Sequence, residues 1–182
     1  MKQIHKNEFK LVIDKINNDV RKTQIKAIQQ VNSELINLYY RIGEVLEENS
    51  KYGNSFIKKV SMELKLDNPN IKGFSERNLK YMKKFYLEYK GNVLVQRIVA
   101  HLPWRHNIVL MSKLKDNEIR KIYAEAAIKN GWSSDMLAMQ IDSNYHLRIG
   151  NSSNNFRTSL SEINCDLANN TIKDPYIFDF YP

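Results

Sequence analysis

Cysteine is all but missing from this chain: Cys165 is the only one in 182 residues. That excludes an intrachain disulfide and a thiolate zinc cage, and makes a reducing, cytosolic compartment the expectation. No apolar run approaches the roughly 20 residues that a membrane span needs. The opening "MKQIHKNEFK" also lacks the apolar core of a signal peptide, so neither secretion nor membrane insertion is expected. A phosphate-cradling glycine-rich loop, HExxH and GxSxG are absent too, and with them three common routes to hydrolytic chemistry. His101 and His106 stand five apart across Pro103, which fits no single helical face, and no metal site is expected there.

What the chain has in excess is positive charge. The formal net charge is +8 and the pI about 9.4. The excess is concentrated: residues 51–90 hold ten Lys or Arg against Glu63, Asp67, Glu76 and Glu88, a net +6. Such a segment favours a polyanionic partner, because phosphates neutralised by cations release counterions. A hydrophobic fraction of 42% fits a globular protein with one core or two small ones.

The pattern is mainly α. From Asn7 to Glu48 apolar residues recur at helical spacing, first Phe9, Ile13, Ile16 and Val20, then Ile28, Val31, Leu35, Leu38, Ile42 and Val45. One long helix or a pair broken near "RKTQ" is expected, with a heptad-like seam at Ile28, Leu35, Leu38 and Ile42. That seam packs within the chain or pairs two copies. "KYGNSF" interrupts the pattern, and Asn54 or Ser55 is placed to cap a helix through Phe56, Val60 and Leu64 to about Leu66. After the turn "DNPNIKG" comes "GFSERNLKYMKKF", with Ser75 as N-cap and Phe74 and Leu79 as a hydrophobic staple. The pair over 54–90 has the ingredients of a helix-turn-helix, with a longer turn than usual. "VLVQRIVAHL" is β-branched enough for a short strand and periodicity does not settle it; helix is the favoured reading. Pro103 opens another helix to Leu114, and Asp116 caps one to Asn130. "GWSSDMLAMQI" then repeats the Gly, aromatic, Ser, Leu punctuation of "GFSERNLKYM", which capping chemistry alone can produce. This second helical unit spans 101–141. Residues 150–182 read as a polar connection with a short helix near 163–168 and an aromatic tail, "KDPYIFDFYP".

On the helix after Ser75, Leu79, Met82, Phe85, Tyr86 and Tyr89 share one side, whereas Arg77, Lys80 and Lys84 share the other. Those three cations are the central candidates for nucleic-acid contact, with Lys58, Lys59, Lys72 and Lys83 adding charge around them. Arg77 and Asn78 are of the types that read base edges, although Asn78 can instead close the helix cap. Tyr81 lies at the edge of this face. Glu63-Leu64-Lys65 and Glu88-Tyr89-Lys90 match the E-x-K of metal-dependent nucleases, but that motif works on a strand and both fall on predicted helices. No catalytic residue is expected in the chain.

In order along the chain, "VNSELINLYYRIGEVL", "GFSERNLKYMKKF", "LPWRHNIVLMSKLKD", "IYAEAAIKNGWS", "NNFRTSL" and "KDPYIFDF" strongly resemble the N-terminal domain of the YhcG-type family, bacterial proteins predicted to be PD-(D/E)XK nucleases. The resemblance implies a helical domain over about 1–149 that serves a nuclease by gripping DNA or by dimerising. Residues like "KDPYIFDF" lead, in that family, into a second domain bearing the nuclease motif. Cleavage and any Mg²⁺ would belong to that domain, which lies beyond this sequence, and no cofactor is expected for the chain itself. Arg105 stands where a small residue is expected and Ser134-Asp135 where Arg-Asn is, which weakens any DNA contact by the second capped helix. The reading is a DNA-binding, non-catalytic domain, with a protein interaction or dimerisation module as the alternative.

Overall fold

A computed structural model describes residues 2–53 and 55–149, and their side chains apart from residues 2–7 and Lys72. Among the described residues there are eight α-helices and no strand. In order they are α1 (Lys2–Glu48), α2 (Phe56–Asp67), α3 (Glu76–Tyr89), α4 (Val93–Val99), α5 (Trp104–Lys113), α6 (Asn117–Asn130), α7 (Ser134–Asp142) and α8 (Tyr145–Ile149). The expected helix near 163–168, Cys165 and the aromatic tail lie outside the described residues.

The first helix is single and unbroken. At "RKTQ" the Thr23 hydroxyl donates to the Asp19 carbonyl at 2.8 Å, one turn back, so the polar stretch bonds along the helix instead of ending it. With 47 residues it is about 70 Å long. Residues 8–24 are exposed throughout, and only from Ile25 onwards do side chains turn into the domain.

The second half of α1 lies along α3, its principal partner. Gly43 is buried at the crossing, against the α3 backbone at Met82. Leu35, Ile36, Tyr39 and Leu46 from α1 join Leu79, Met82, Phe85 and Tyr89 from α3 in one core. Trp104, at the start of α5, is fully buried among them, with edge-on ring contacts to Tyr39 at 4.8 Å and Phe85 at 5.3 Å. Asn32 ties α1 to the α4–α5 junction by donating to the carbonyls of Ala100 and Leu102, at 3.4 and 3.1 Å. Asn107 closes the same junction by donating to the carbonyls of Val99, Leu102 and Pro103. These bonds satisfy backbone groups that a chain reversal would otherwise bury unpaired.

Local punctuation sets several helix ends. Ser75, Asp116 and Ser133 each accept a bond from an amide in the first turn of α3, α6 and α7. The two parallel stretches are capped alike: Ser75 and Ser133 each receive the amide three residues on, at 3.2 Å. Gly131, at φ 61°, closes α6 in the left-handed conformation. Ser55 is the residue before α2 but its side chain makes no capping bond, and Asn54 lies outside the described residues. The five-residue α8 was not anticipated; Tyr145 anchors it, packing edge-on against Trp132 at 4.9 Å.

Candidate nucleic-acid interface

α3 is amphipathic in the strict sense that its sides do different work. Leu79, Met82, Phe85 and Tyr89 are buried, Arg77 and Lys80 are exposed, and Lys83 and Lys84 are half-buried. The first half of the exposed side borders an open groove of about 630 Å³ lined by Ser75, Glu76, Arg77, Lys80, Tyr81 and Lys84. The Arg77 guanidinium lies over the Tyr81 ring, 5.7 Å from its centroid, so the tyrosine noted at the edge of this face lies beneath one of its exposed cations.

The cations are not equally available. Lys80 pairs with Glu76 at 2.6 Å one turn back, and both side chains are substantially exposed. This hydrogen bond and charge, with a further contribution from Lys58, hold the Glu76 carboxyl below its ordinary range. Lys58 therefore stands close enough to the start of α3 for its charge to be felt there. Lys58 and Lys59 are both exposed on α2. Lys83 reaches the other way, to Glu47 on α1 at 3.0 Å, and is tied into the α1–α3 packing. Lys84 donates to the Met111 carbonyl at 2.8 Å, in the last turn of α5, where a cation meets the negative end of the helix dipole. Lys72 begins the short 3₁₀ turn before α3, and its side chain lies outside the described residues.

Asn78 is a correction. It is 1% exposed and cannot reach a base edge. Its Nδ2 donates to the Gly73 carbonyl at 2.6 Å and its Oδ1 accepts from the Trp104 indole N–H at 2.7 Å. Of the two roles open to it, the second holds: it closes the start of α3 and ties that start to the core. The seam Ile28, Leu35, Leu38 and Ile42 is corrected in part. Leu35 is buried in the domain's own core and Ile42 packs against it, so neither is offered to a second copy, whereas Ile28 and Leu38 are half-buried and outside that cluster.

The carboxylates of the two E-x-K matches sit on helices, Glu63 exposed on α2 and Glu88 on α3. Glu88 is engaged: it accepts from the Arg120 guanidinium at 2.8 Å. Arg120 itself is 1% exposed, an unanticipated feature that no local pattern announces. Its guanidinium also donates to the Leu114 carbonyl and to Asn117, and lies 5.5 Å from the Tyr89 ring centre. Burial pushes the Tyr89 hydroxyl up to about 12, against the opposing pull of Arg120. The Arg120–Glu88 bond at the centre of this cluster joins α3 to α6.

His106 is buried and His101 exposed, so the two are not brought together. The His106 Nε2 bonds the Trp132 carbonyl at 2.7 Å, which requires that nitrogen to carry the proton, and burial holds the imidazole pKa below its usual value. Among the described residues no three His, Cys, Asp or Glu side chains gather as a metal site. No helix among them is long and apolar enough to cross a membrane.

The chain matches the family model of the DUF1016 N-terminal domain over residues 15–148, which takes in α2, α3 and the groove. It belongs to this family, that of the YhcG-type N-terminal domain. No curated protein and no solved structure matches the chain. Within this DUF1016 N-terminal domain, Arg105 on α5 pairs with Asp135 on α7 at 3.3 Å, an exposed bridge between two packed helices.

Proposed function

We propose that this DUF1016 N-terminal domain binds DNA through the phosphate backbone, without catalysis of its own, and so serves the nuclease domain that the YhcG-type resemblance implies. The observation that carries the reading is the groove along the first half of α3, where Arg77 and Lys80 are exposed beside Tyr81 and the Lys84 stem. Lys58 and Lys59 on α2 extend the same positive region. In this reading α2, the turn over residues 68–75 and α3 act as a helix-turn-helix-like unit, and the contacts are to phosphates rather than to bases, since Asn78 is committed to the core. An exposed pair such as Lys80–Glu76 contributes little to stability, so a phosphate can replace Glu76 at small cost.

The test is fluorescence anisotropy of the chain with labelled duplex, branched and single-stranded DNA across a salt series. Arg77→Ala with Lys80→Ala should weaken binding about tenfold or more and lower the log-log salt slope by about 2, with thermal unfolding unchanged. Lys84 stays intact in this experiment, because its bond to the Met111 carbonyl gives it a structural role. Full affinity in the folded double variant, or no binding by the unaltered chain at low salt, would overturn the reading.

A further inference from the structure

We propose that the exposed stripe on the first half of α1 pairs with the same stripe of a second copy of this chain. Phe9, Val12, Ile13, Ile16 and Val20 are 67%, 54%, 39%, 53% and 49% exposed, on a helix whose residues 8–24 are all exposed to solvent. Phe9, Ile13, Ile16 and Val20 follow one another at steps of four, three and four, the spacing of a two-helix seam. At 100° per residue this stripe continues through Val31 and Val45, which are 40% and 56% exposed. The face of α1 buried in the domain carries Asn32, Ile36, Tyr39, Gly43 and Leu46, about 120° away around the helix. The domain's own core therefore covers one face of α1 and leaves the other heptad face uncovered.

Three arguments identify the occupant as another copy. A heptad stripe is matched by a helix with the same repeat, and a two-fold axis makes the stripe its own complement. The flanking positions are Lys10, Asn17 and Gln24 on one side and Val12, Asp19 and Lys26 on the other. In-register parallel pairing sets Val12 beside Asn17 and Asp19 beside Gln24 of the other copy, so no like charges meet across this stretch. Five side chains per copy, each burying on the order of 100 Å², remove about 1,000 Å² in total, the lower limit of a specific interface. A need for support is also visible: "FKLVIDKINNDV" is rich in β-branched residues and Asn, weak helix formers that an unsupported helix in water would not favour.

The inference stands apart from the nucleic-acid reading and uses none of its residues. The test is sedimentation equilibrium of the full chain over a concentration series. The expected result is association from 21.4 kDa to twice that mass. Ile16→Lys with Val20→Lys should give the monomer mass at every concentration, and Ile16→Ala with Val20→Ala, which favours helix, should weaken association at least tenfold. Both pairs are exposed in the single chain, so circular dichroism of either variant should still show a cooperatively folded helical protein. An unaltered chain that is monomeric at its highest soluble concentration overturns the proposal, as does a dimer indifferent to both variants. If the monomer's α1 is shielded from protease only while residues 150–182 are attached, the stripe belongs to the chain's own C-terminal segment and the proposal is likewise overturned.

Discussion

Replacing Gly43 by Ala tests the packing on which the groove depends. A Cβ at this position would lie 2.8 Å from the Met82 carbonyl carbon and 2.9 Å from the Tyr86 Cβ, and closer still to the Met82 carbonyl oxygen. Ordinary carbon contacts need about 3.5–4.0 Å, so α1 and α3 would have to separate by roughly 1 Å. No rotamer change relieves this, because the obstacles are backbone and a Cβ. In an unobstructed helix interior the same substitution would stabilise by about 1 kcal/mol. Here overpacking costs up to about 3 kcal/mol. The separation would also loosen the Tyr40 ring contacts with Phe85 and Tyr86, centred at 6.1 and 5.1 Å, and the Lys83–Glu47 pair. A net loss of about 2 kcal/mol is expected, which for a domain of this size is about 4–8 °C in Tm. Urea and thermal unfolding followed by circular dichroism measure it, with Arg41→Ala on the exposed side of the same helix as a control that stays within about 0.5 kcal/mol. A Tm equal to or above that of the unaltered chain would refute the close approach of α1 and α3.

Two further substitutions probe buried polar groups of the domain. Asn78→Ala strips the Trp104 indole N–H and the Gly73 carbonyl of their partners, and should cost about 3 kcal/mol in urea unfolding, the scale of leaving buried polar groups unpaired. Stability should also fall as pH drops below about 6.5, because the unfolded chain then takes a proton that buried His106 refuses until its own lowered pKa is reached. Between those two values the loss is about 1.4 kcal/mol per pH unit, and His106→Gln, which keeps a donor for the Trp132 carbonyl, should flatten the urea-derived stability profile from pH 7 to 5. A profile equally steep in that variant would place the titrating group elsewhere.

The sequence is most readable where structure is local. Ser75, Asp116 and Ser133 cap α3, α6 and α7 as expected because an N-cap needs only its own next three residues. Likewise the buried side of α3 follows from periodicity: Leu79, Met82, Phe85 and Tyr89 are inside, and Tyr86, expected with them, is half-buried. What fails is whatever a distant element decides. Asn78 is equally suited to a base edge and to a core bond, and only the arrival of Trp104 from α5 selects between them. Lys84 sits on the predicted face, yet the carbonyl that holds it belongs to Met111. On α1 the second apolar set is split, with Leu35 buried and Val31 and Val45 exposed, because the buried face of Asn32, Ile36, Tyr39, Gly43 and Leu46 is chosen by where α3 lies. Arg120 gave no signal at all, because its partners Glu88 and Leu114 are gathered by the fold rather than by a motif.

Charge on the groove should be counted by what each partner neutralises, not by which cations have partners. Glu76 offsets Lys80 and Glu47 offsets Lys83, so each of these pairs presents a dipole. Lys84 differs, because the Met111 carbonyl that holds it carries no formal charge: the bond fixes the ammonium beside the groove, and the end of the α5 dipole offsets only part of its charge. Glu88, the acid nearest in sequence on the far half of α3, is offset by Arg120, a cation from α6, and therefore subtracts little from the field of α2 and α3. Lys58 and Lys59, exposed on α2, and a Lys84 that is immobilised rather than cancelled thus add positive potential near the start of α3. Such a fixed charge attracts a polyanion over a Debye length of about 8–10 Å without giving up side-chain freedom on contact. On that account the structural bond of Lys84 and a part in steering a polyanion towards the groove are compatible.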